Sequence, residues 1–231
     1  LSLHDALPIS HGEIERIFRF LMPQNGLAVR EEQIALCHTM LDTLLQNKIA
    51  LCDAGVGIGK TYAYLTVCAL LKRFFPSPQP VVVSTSSVAL QNAVIGEYIP
   101  FLSRIFLENR IIQKPIRAIV RKGKERFVCD VRLKFRLEAV EGKRKNEEQR
   151  KALVSLRNYY DLDDVPDLSQ FDREQVCVPK ACRNDCPIRT ACRYHQYLRA
   201  ARQTGIFVQI CNHNYLLADA SHRLQELDRK S

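Results

Sequence analysis

Apolar positions along the chain alternate between helical spacing and short continuous runs. From Glu13 to Leu21 they recur at helical spacing, and Pro23-Gln24-Asn25-Gly26 then makes a turn. Arg30-Glu31-Glu32-Gln33 opens a second amphipathic run carrying Ile34, Leu36, Met40, Leu41, Leu44 and Leu45. Ile49-Ala50-Leu51-Cys52 is a short apolar run of strand type, and after a glycine-rich stretch Tyr62 to Phe75 reads as a helix. Pro76-Ser77-Pro78-Gln79-Pro80 breaks the chain. Val81-Val82-Val83 followed by Ser84-Thr85-Ser86-Ser87 predicts a buried strand that ends in a polar loop. Val88 to Phe106 is largely helical, and Ala118-Ile119-Val120 is a further strand. Strands alternating with helices predict an α/β fold built on a parallel sheet with right-handed crossovers.

After Arg121 the alternation stops. Val131 to Tyr160 is charged and helix-prone, Asp161 to Asp172 is acidic loop, and a cysteine cluster comes next. Phe207 to Cys211 restores an apolar strand, and Tyr215 to Leu227 is helical. The pattern predicts one α/β domain, residues 12–121 and 205–231, interrupted by a small, mostly helical insertion over 122–204. Residues 1–11 start at Leu1 rather than Met and join onto nothing later in the chain, so they are expected to be non-native or disordered.

A chain of 231 residues with 46% hydrophobic content has room for one large domain or two small ones. No apolar run reaches the roughly 18–20 residues of a membrane span, and the start lacks a signal-peptide pattern, so a cytoplasmic location and no membrane partner are expected. The net charge of +9 is concentrated: Arg117 to Arg157 holds 14 Lys and Arg against six acidic residues. Such a surface favours a polyanion, nucleic acid first, over the plainer reading of a solvated helical face. Nine cysteines in a chain with no export signal argue against a disulfide framework. Cys37, Cys52, Cys68 and Cys211 sit in apolar elements as core thiols.

Two groups of residues carry chemistry. The first is Asp53-Ala54-Gly55-Val56-Gly57-Ile58-Gly59-Lys60-Thr61, between the apolar run and the helix. Strand, glycine-rich turn and helix are what a phosphate-binding loop needs: backbone N–H groups curl around phosphate oxygens and the helix start adds a positive dipole end. Lys60 can reach the β- and γ-phosphates, and Thr61 can offer its hydroxyl to Mg²⁺. The second is Cys177, Cys182, Cys186 and Cys192, with Cys129 alone upstream. Thiolates at this density suit zinc or an iron–sulfur cluster.

Taken together these residues resemble the iron–sulfur DNA helicases of the DinG/XPD group, over about Glu13 to Leu227. Arg30-Glu31-Glu32-Gln33 resembles the adenine-recognition motif, with Gln33 as the reader. Ala54 to Thr61 resembles the group's A-G-T-G-T-G-K-T loop, in which alanine is the expected first residue; Val56 and Ile58 stand where it has threonines. Ser84 to Gln91 resembles the motif that grips single-stranded DNA, with Thr85 in it. Arg121-Lys122-Gly123-Lys124-Glu125-Arg126-Phe127-Val128-Cys129 resembles the run that supplies the first cluster ligand, and Val208 to Asp219 the segment returning to the motor domain.

The resemblance implies a P-loop NTPase (RecA-like) motor domain interrupted by an iron–sulfur domain, and an ATP-dependent helicase moving 5′ to 3′ on single-stranded or forked DNA. It implies ATP and Mg²⁺ bound at Gln33, Ala54, Gly55, Gly57, Gly59, Lys60 and Thr61, Lys60 and Thr61 being the catalytic pair. It implies a 4Fe–4S cluster held by Cys129, Cys182, Cys186 and Cys192, with Cys177 as an alternative ligand. Arg121, Lys122, Lys124 and Arg126 would contact phosphates, and Phe127 would stack on a base or pack in the core. A monomer is expected. The group's Asp-Glu-Ala-His box and second motor domain do not occur before Ser231, so these residues are expected to bind nucleotide without hydrolysing it or unwinding DNA. Two other readings share parts of the pattern: a different P-loop ATPase with a zinc module, and a non-enzymatic nucleic-acid-binding domain.

Overall fold

The computed structural model describes residues 3–75, 79–141, 147–182, 185–203 and 205–228. The chain divides into two units, Leu1–Val120 with Thr204–Cys211 and Arg121–Gln203 with Asn212–Ser231.

In the first unit, helix α1 (Leu3–Arg16) continues through a π-helical turn, Ile17–Leu21, into the short α2 (Met22–Gln24). Helix α3 (Glu31–Leu45) and helix α4 (Lys60–Phe74) pack against one another. Strand β1 (Val81–Ser84) leads to α5 (Val88–Ala93), a second π turn (Val94–Tyr98) and α6 (Ile99–Glu108). Strands β2 (Ala118–Arg121) and β3 (Val208–Cys211) complete a three-stranded parallel sheet of order β1-β3-β2, and the division between the units falls inside β2. β1 and β3 are in register from Val81 opposite Val208 to Ser84 opposite Cys211.

Both π turns stand just ahead of a proline. Met22 N–H reaches back to Ile17 and Ile99 N–H to Val94, five residues each, before Pro23 and Pro100. Proline lacks an N–H and its ring crowds the carbonyl four residues back, so widening the turn keeps the helix going past it. The core of this unit is aliphatic and aromatic: Ile14, Ile17, Phe18, Leu41, Leu65, Leu70, Leu102, Ile105 and Phe106 are buried, with Val208 and Ile210 from the sheet.

Two sequence expectations are corrected here. Ile49–Cys52 forms no strand; Ile49 is 98% and Leu51 101% exposed, while Cys52 and Ala54 pack against the core. A strand needs a ladder partner for its N–H and C=O groups, and the sheet is made of β1, β3 and β2 alone among the described residues. β1 is an edge strand rather than a buried one, with Val82 48% exposed, because only β3 pairs with it.

The second unit is helical. Helices α7 (Asp130–Val140), α8 (Glu147–Ser155), α9 (Gln170–Val176) and α10 (Arg193–Ala201) are followed, after the return through β3, by α11 (His213–Asp228). Its core is Val128, Leu133, Val140, Leu153, Leu156, Leu162, Val165, Leu168 and Val176. On α9 Asp172 is wholly buried, accepting from Arg136 Nε of α7, Gln149 Nε2 and Ser169 Oγ, each at 2.7 Å. Burial raises its carboxyl, but these three donors outweigh that and hold it below the usual aspartate range.

Candidate functional site

In the first unit the glycine-rich loop leads straight into α4. Gly57 (φ +87°) and Gly59 (φ +85°) take left-handed backbone conformations that a side chain would strain, and Gly59 caps α4, which starts at Lys60. The loop is stitched to the start of α3. Gln33, 5% exposed, donates through Nε2 to the Gly59 carbonyl at 2.7 Å, and the Arg30 guanidinium donates to the Gly57 carbonyl. Lys60 Nζ donates to the carbonyls of Ala54 (2.9 Å) and Gly55 (2.7 Å). Beside the loop opens a cavity of about 390 Å³ with Gly57, Gly59, Lys60 and Thr61 on one wall and Arg30 and Gln33 on another. It therefore brings together Gln33, Gly57, Gly59, Lys60 and Thr61. Leu27, Ala28, Tyr62 and Tyr98 line it too, and sequence reading missed them. The only signal for Tyr98 was Pro100 inside a helical pattern, which marks a local distortion.

Thr85 follows β1. Its N–H donates to the Cys211 carbonyl at 3.0 Å and its hydroxyl accepts from Ser87 N at 3.2 Å.

In the second unit the basic side chains ahead of Cys129 each have a partner within the chain, though Arg126 stays exposed. Arg121 donates to the Tyr215 hydroxyl from Nη2 (2.7 Å) and Nε (3.2 Å), with its guanidinium 5.6 Å from that ring's centre. Lys122 Nζ lies between Asp161 (2.5 Å) and Asp163 (3.0 Å), Arg126 pairs with Asp163 at 3.2 Å, and Lys124 donates to the Lys180 carbonyl. Phe127 is 1% exposed, among Tyr197 (4.4 Å between ring centres), Tyr194 (5.2 Å) and Tyr160 (6.1 Å). Of its two readings, the core one describes this position.

The cysteines fall on two sides of a short ribbon. Val128 bridges Cys177 in antiparallel fashion, Cys129 N–H donates to the Val176 carbonyl (2.8 Å) and Val178 N–H to the Phe127 carbonyl (2.8 Å). Residues opposite one another share a face, and successive residues alternate. Cys177 packs with Val128 against the helical core, where Arg132 Nη1 lies 3.7 Å from its sulfur. Burial pushes the Cys129 thiol up, the backbone N–H groups of Arg132 and Val131 pull it down, and Cys192 and Cys182 are near enough to add to the rise. Cys129 caps α7 and Cys192 caps α10, and a helix start stabilises a thiolate. Cys182 and Cys192 thus lie within electrostatic reach of Cys129, and thiolates are the donor type that zinc or an iron–sulfur cluster takes. Among the described residues no group of three or more His, Cys, Asp or Glu stands at metal-binding distance. Cys37, Cys68 and Cys211 are buried and Cys52 half-buried; burial pushes the Cys68 thiol up to about 12.

No helix among the described residues is long and apolar enough to cross a membrane. No family model matches the chain. Over 115 residues, 50% of its length, the chain is 30% identical to a protein named 3′-5′ exonuclease DinG from Bacillus subtilis (strain 168), covering 11% of that protein. Over 118 residues, 51% of its length, it is 28% identical to the 3′-5′ exonuclease DinG of Staphylococcus aureus (strain USA300), covering 12% of that protein. The matched stretch is thus a small part of these relatives' length, and the likeness is to proteins named as 3′-5′ exonucleases DinG.

Proposed function

We propose that this chain carries the nucleotide-binding part of a DinG-type, ATP-dependent DNA helicase. The observation that carries the reading is the cavity walled by Gly57, Gly59, Lys60 and Thr61, with left-handed glycines leading into a helix start. On nucleotide binding Lys60 exchanges the carbonyls of Ala54 and Gly55 for β- and γ-phosphate oxygens, and Thr61 offers its hydroxyl to Mg²⁺. Gln33 reads the base, and Ala54, Gly55, Gly57 and Gly59 supply backbone around the phosphates. The residues after β1, Thr85 among them, grip single-stranded or forked DNA, along which the whole protein moves 5′ to 3′.

The same reading makes residues 122–204 an iron–sulfur insertion in the motor domain, holding a 4Fe–4S cluster on Cys129, Cys182, Cys186 and Cys192. The cluster supplies a rigid covalent tie among segments far apart in sequence. Cys177 is the alternative ligand, because it packs beside Val128 against the helical core. Arg121 and Lys122 brace the unit through Tyr215, Asp161 and Asp163, the exposed Arg126 keeps a face for phosphate beside its pair with Asp163, and Phe127 serves as a core ring.

The test is titration of labelled ATP into the chain and into Lys60→Ala, with Mg²⁺ present. Binding to the parent, weakened at least about tenfold in the variant, supports the reading. Equal binding to both overturns it.

A further inference from the structure

The cavity beside the phosphate loop has an aromatic wall that the loop motif does not account for. Tyr98 lines it together with Tyr62, the residue after Thr61. The two rings meet edge to face, 4.9 Å between centres at 75°, and Tyr62 leans on Phe101 at 5.6 Å. In that arrangement the edge of one ring is fixed against the other, so Tyr98 is braced from behind by the element that carries the phosphate-binding lysine. Tyr98 is also the last residue of the π turn Val94–Tyr98. One extra residue in a helical turn rotates the residues beyond it by about 100° relative to a continuous helix, and such turns gather at functional sites. Tyr98 closes this turn, so its ring stands where that offset accumulates.

We infer that Tyr98, aimed by the π turn and braced by Tyr62, is the platform on which the base of a bound purine nucleoside triphosphate stacks. The inference rests on the reading of the Ala54–Thr61 loop as a nucleotide site and adds to it the residue that holds the base. Three observations converge. The cavity's volume of about 390 Å³ lies within the range of small-molecule sites. It already holds the phosphate-loop residues on one wall, so a ligand anchored there has its base within the same space. Gln33, whose Nε2 is committed to the Gly59 carbonyl, keeps its Oε1 as an acceptor for a base edge, while Leu27 and Ala28 supply an apolar flank. The lining offers a flat base two aromatic side chains, Tyr62 and Tyr98, set nearly perpendicular to each other, so a base can stack on only one of them.

The experiment compares binding of ATP and of inorganic tripolyphosphate, which lacks base and ribose, to the parent chain and to Tyr98→Ala, Tyr98→Leu and Tyr98→Phe. Loss of a stacking face weakens ATP about tenfold in Tyr98→Ala and Tyr98→Leu, leaves Tyr98→Phe near the parent, and leaves tripolyphosphate binding unchanged in all three. Thermal melts identify a variant that has lost its fold, and the leucine and phenylalanine forms keep the volume of the ring's place filled. If ATP binds the parent in a Lys60-dependent way and Tyr98→Ala binds it equally well, the platform is wrong and the loop reading stands. If ATP fails to bind the parent at all, the loop reading falls and the platform with it. Equal loss of ATP and tripolyphosphate in a folded Tyr98→Leu also overturns the platform, since a base contact cannot weaken a ligand without a base.

Discussion

The side-chain nitrogen of Gln33 donates to the carbonyl of Gly59 at 2.7 Å, fastening the start of α3 to the residue that caps α4. A methyl group on Gly59 would collide with that same amide, in a backbone conformation of φ +85°. The residue read as base reader and the loop read as phosphate cradle are therefore one mechanical piece.

Gly59→Ala is expected to lose nucleotide affinity by more than about tenfold, because strain of about 1–3 kcal/mol adds to displacement of Gln33. Gly57→Ala is the control: its φ of +87° carries the same strain, with open space where the methyl would go. Calorimetric titration of ATP into both checks the difference. Equal affinities would show that the Gln33 contact contributes nothing.

Asp172 gives the helical unit an acid-sensitive point. Its folded-state pKa is depressed, so its contribution is present above the unfolded value of about 4 and is lost as pH falls through the folded one. Urea melts of the parent are expected to lose stability from about pH 5 downward. Asp172→Ala, which leaves the Arg136 cation without its buried partner, costs about 3–5 kcal/mol at neutral pH and flattens the acid slope. An unchanged slope in the variant would assign the acid loss to other groups.

On the proposed reading of residues 122–204 as an iron–sulfur insertion, iron content will distinguish the cysteines. Cys129→Ser and Cys192→Ser are expected to abolish bound iron and the brown colour of the purified chain, whereas Cys177→Ser keeps both, since Cys177 faces Val128 and the core. Zinc in place of iron by elemental analysis would overturn the cluster and keep the thiolate site.

Lys122 is expected to matter for folding more than for DNA. Its side chain is 18% exposed between Asp161 and Asp163. Lys122→Ala should cost about 1–3 kcal/mol in thermal melts, the range for hydrogen bonds between charged groups. The salt dependence of single-stranded DNA binding should not change, because an ammonium already neutralised within the chain releases no counterions. A shallower salt slope would place Lys122 on phosphate.

Much of the fold is legible in local pattern. Ile34, Leu36 and Leu41 mark the buried stripe of α3, Val208 and Ile210 that of β3, and the glycines of the loop sit where a turn into a helix needs them. The features that are not legible depend on partners distant in sequence. Ile49–Cys52 has the residues of a strand, but a strand exists only with a neighbour, and no local pattern reports one. The charge of Lys122 reads as part of a surface for polyanions, yet Asp161 and Asp163, some forty residues on, neutralise it. Phe127 is equally a stacking ring or a core ring until Tyr160, Tyr194 and Tyr197 are placed around it. Tyr98 escaped because a π turn shifts the phase of a helix without altering its composition.

The exposure of Ile49 and Leu51 sets how this chain behaves in company. Two large aliphatic groups stand wholly in water, on either side of Ala50, in the arm that leads to the phosphate loop. In the same unit, β1 presents an open sheet edge with Val82 half in solvent. Backbone without a ladder partner and bare aliphatic surface are the combination from which intermolecular strand pairing starts. These are the places on the first unit where an added strand would find backbone to pair with and aliphatic surface to cover.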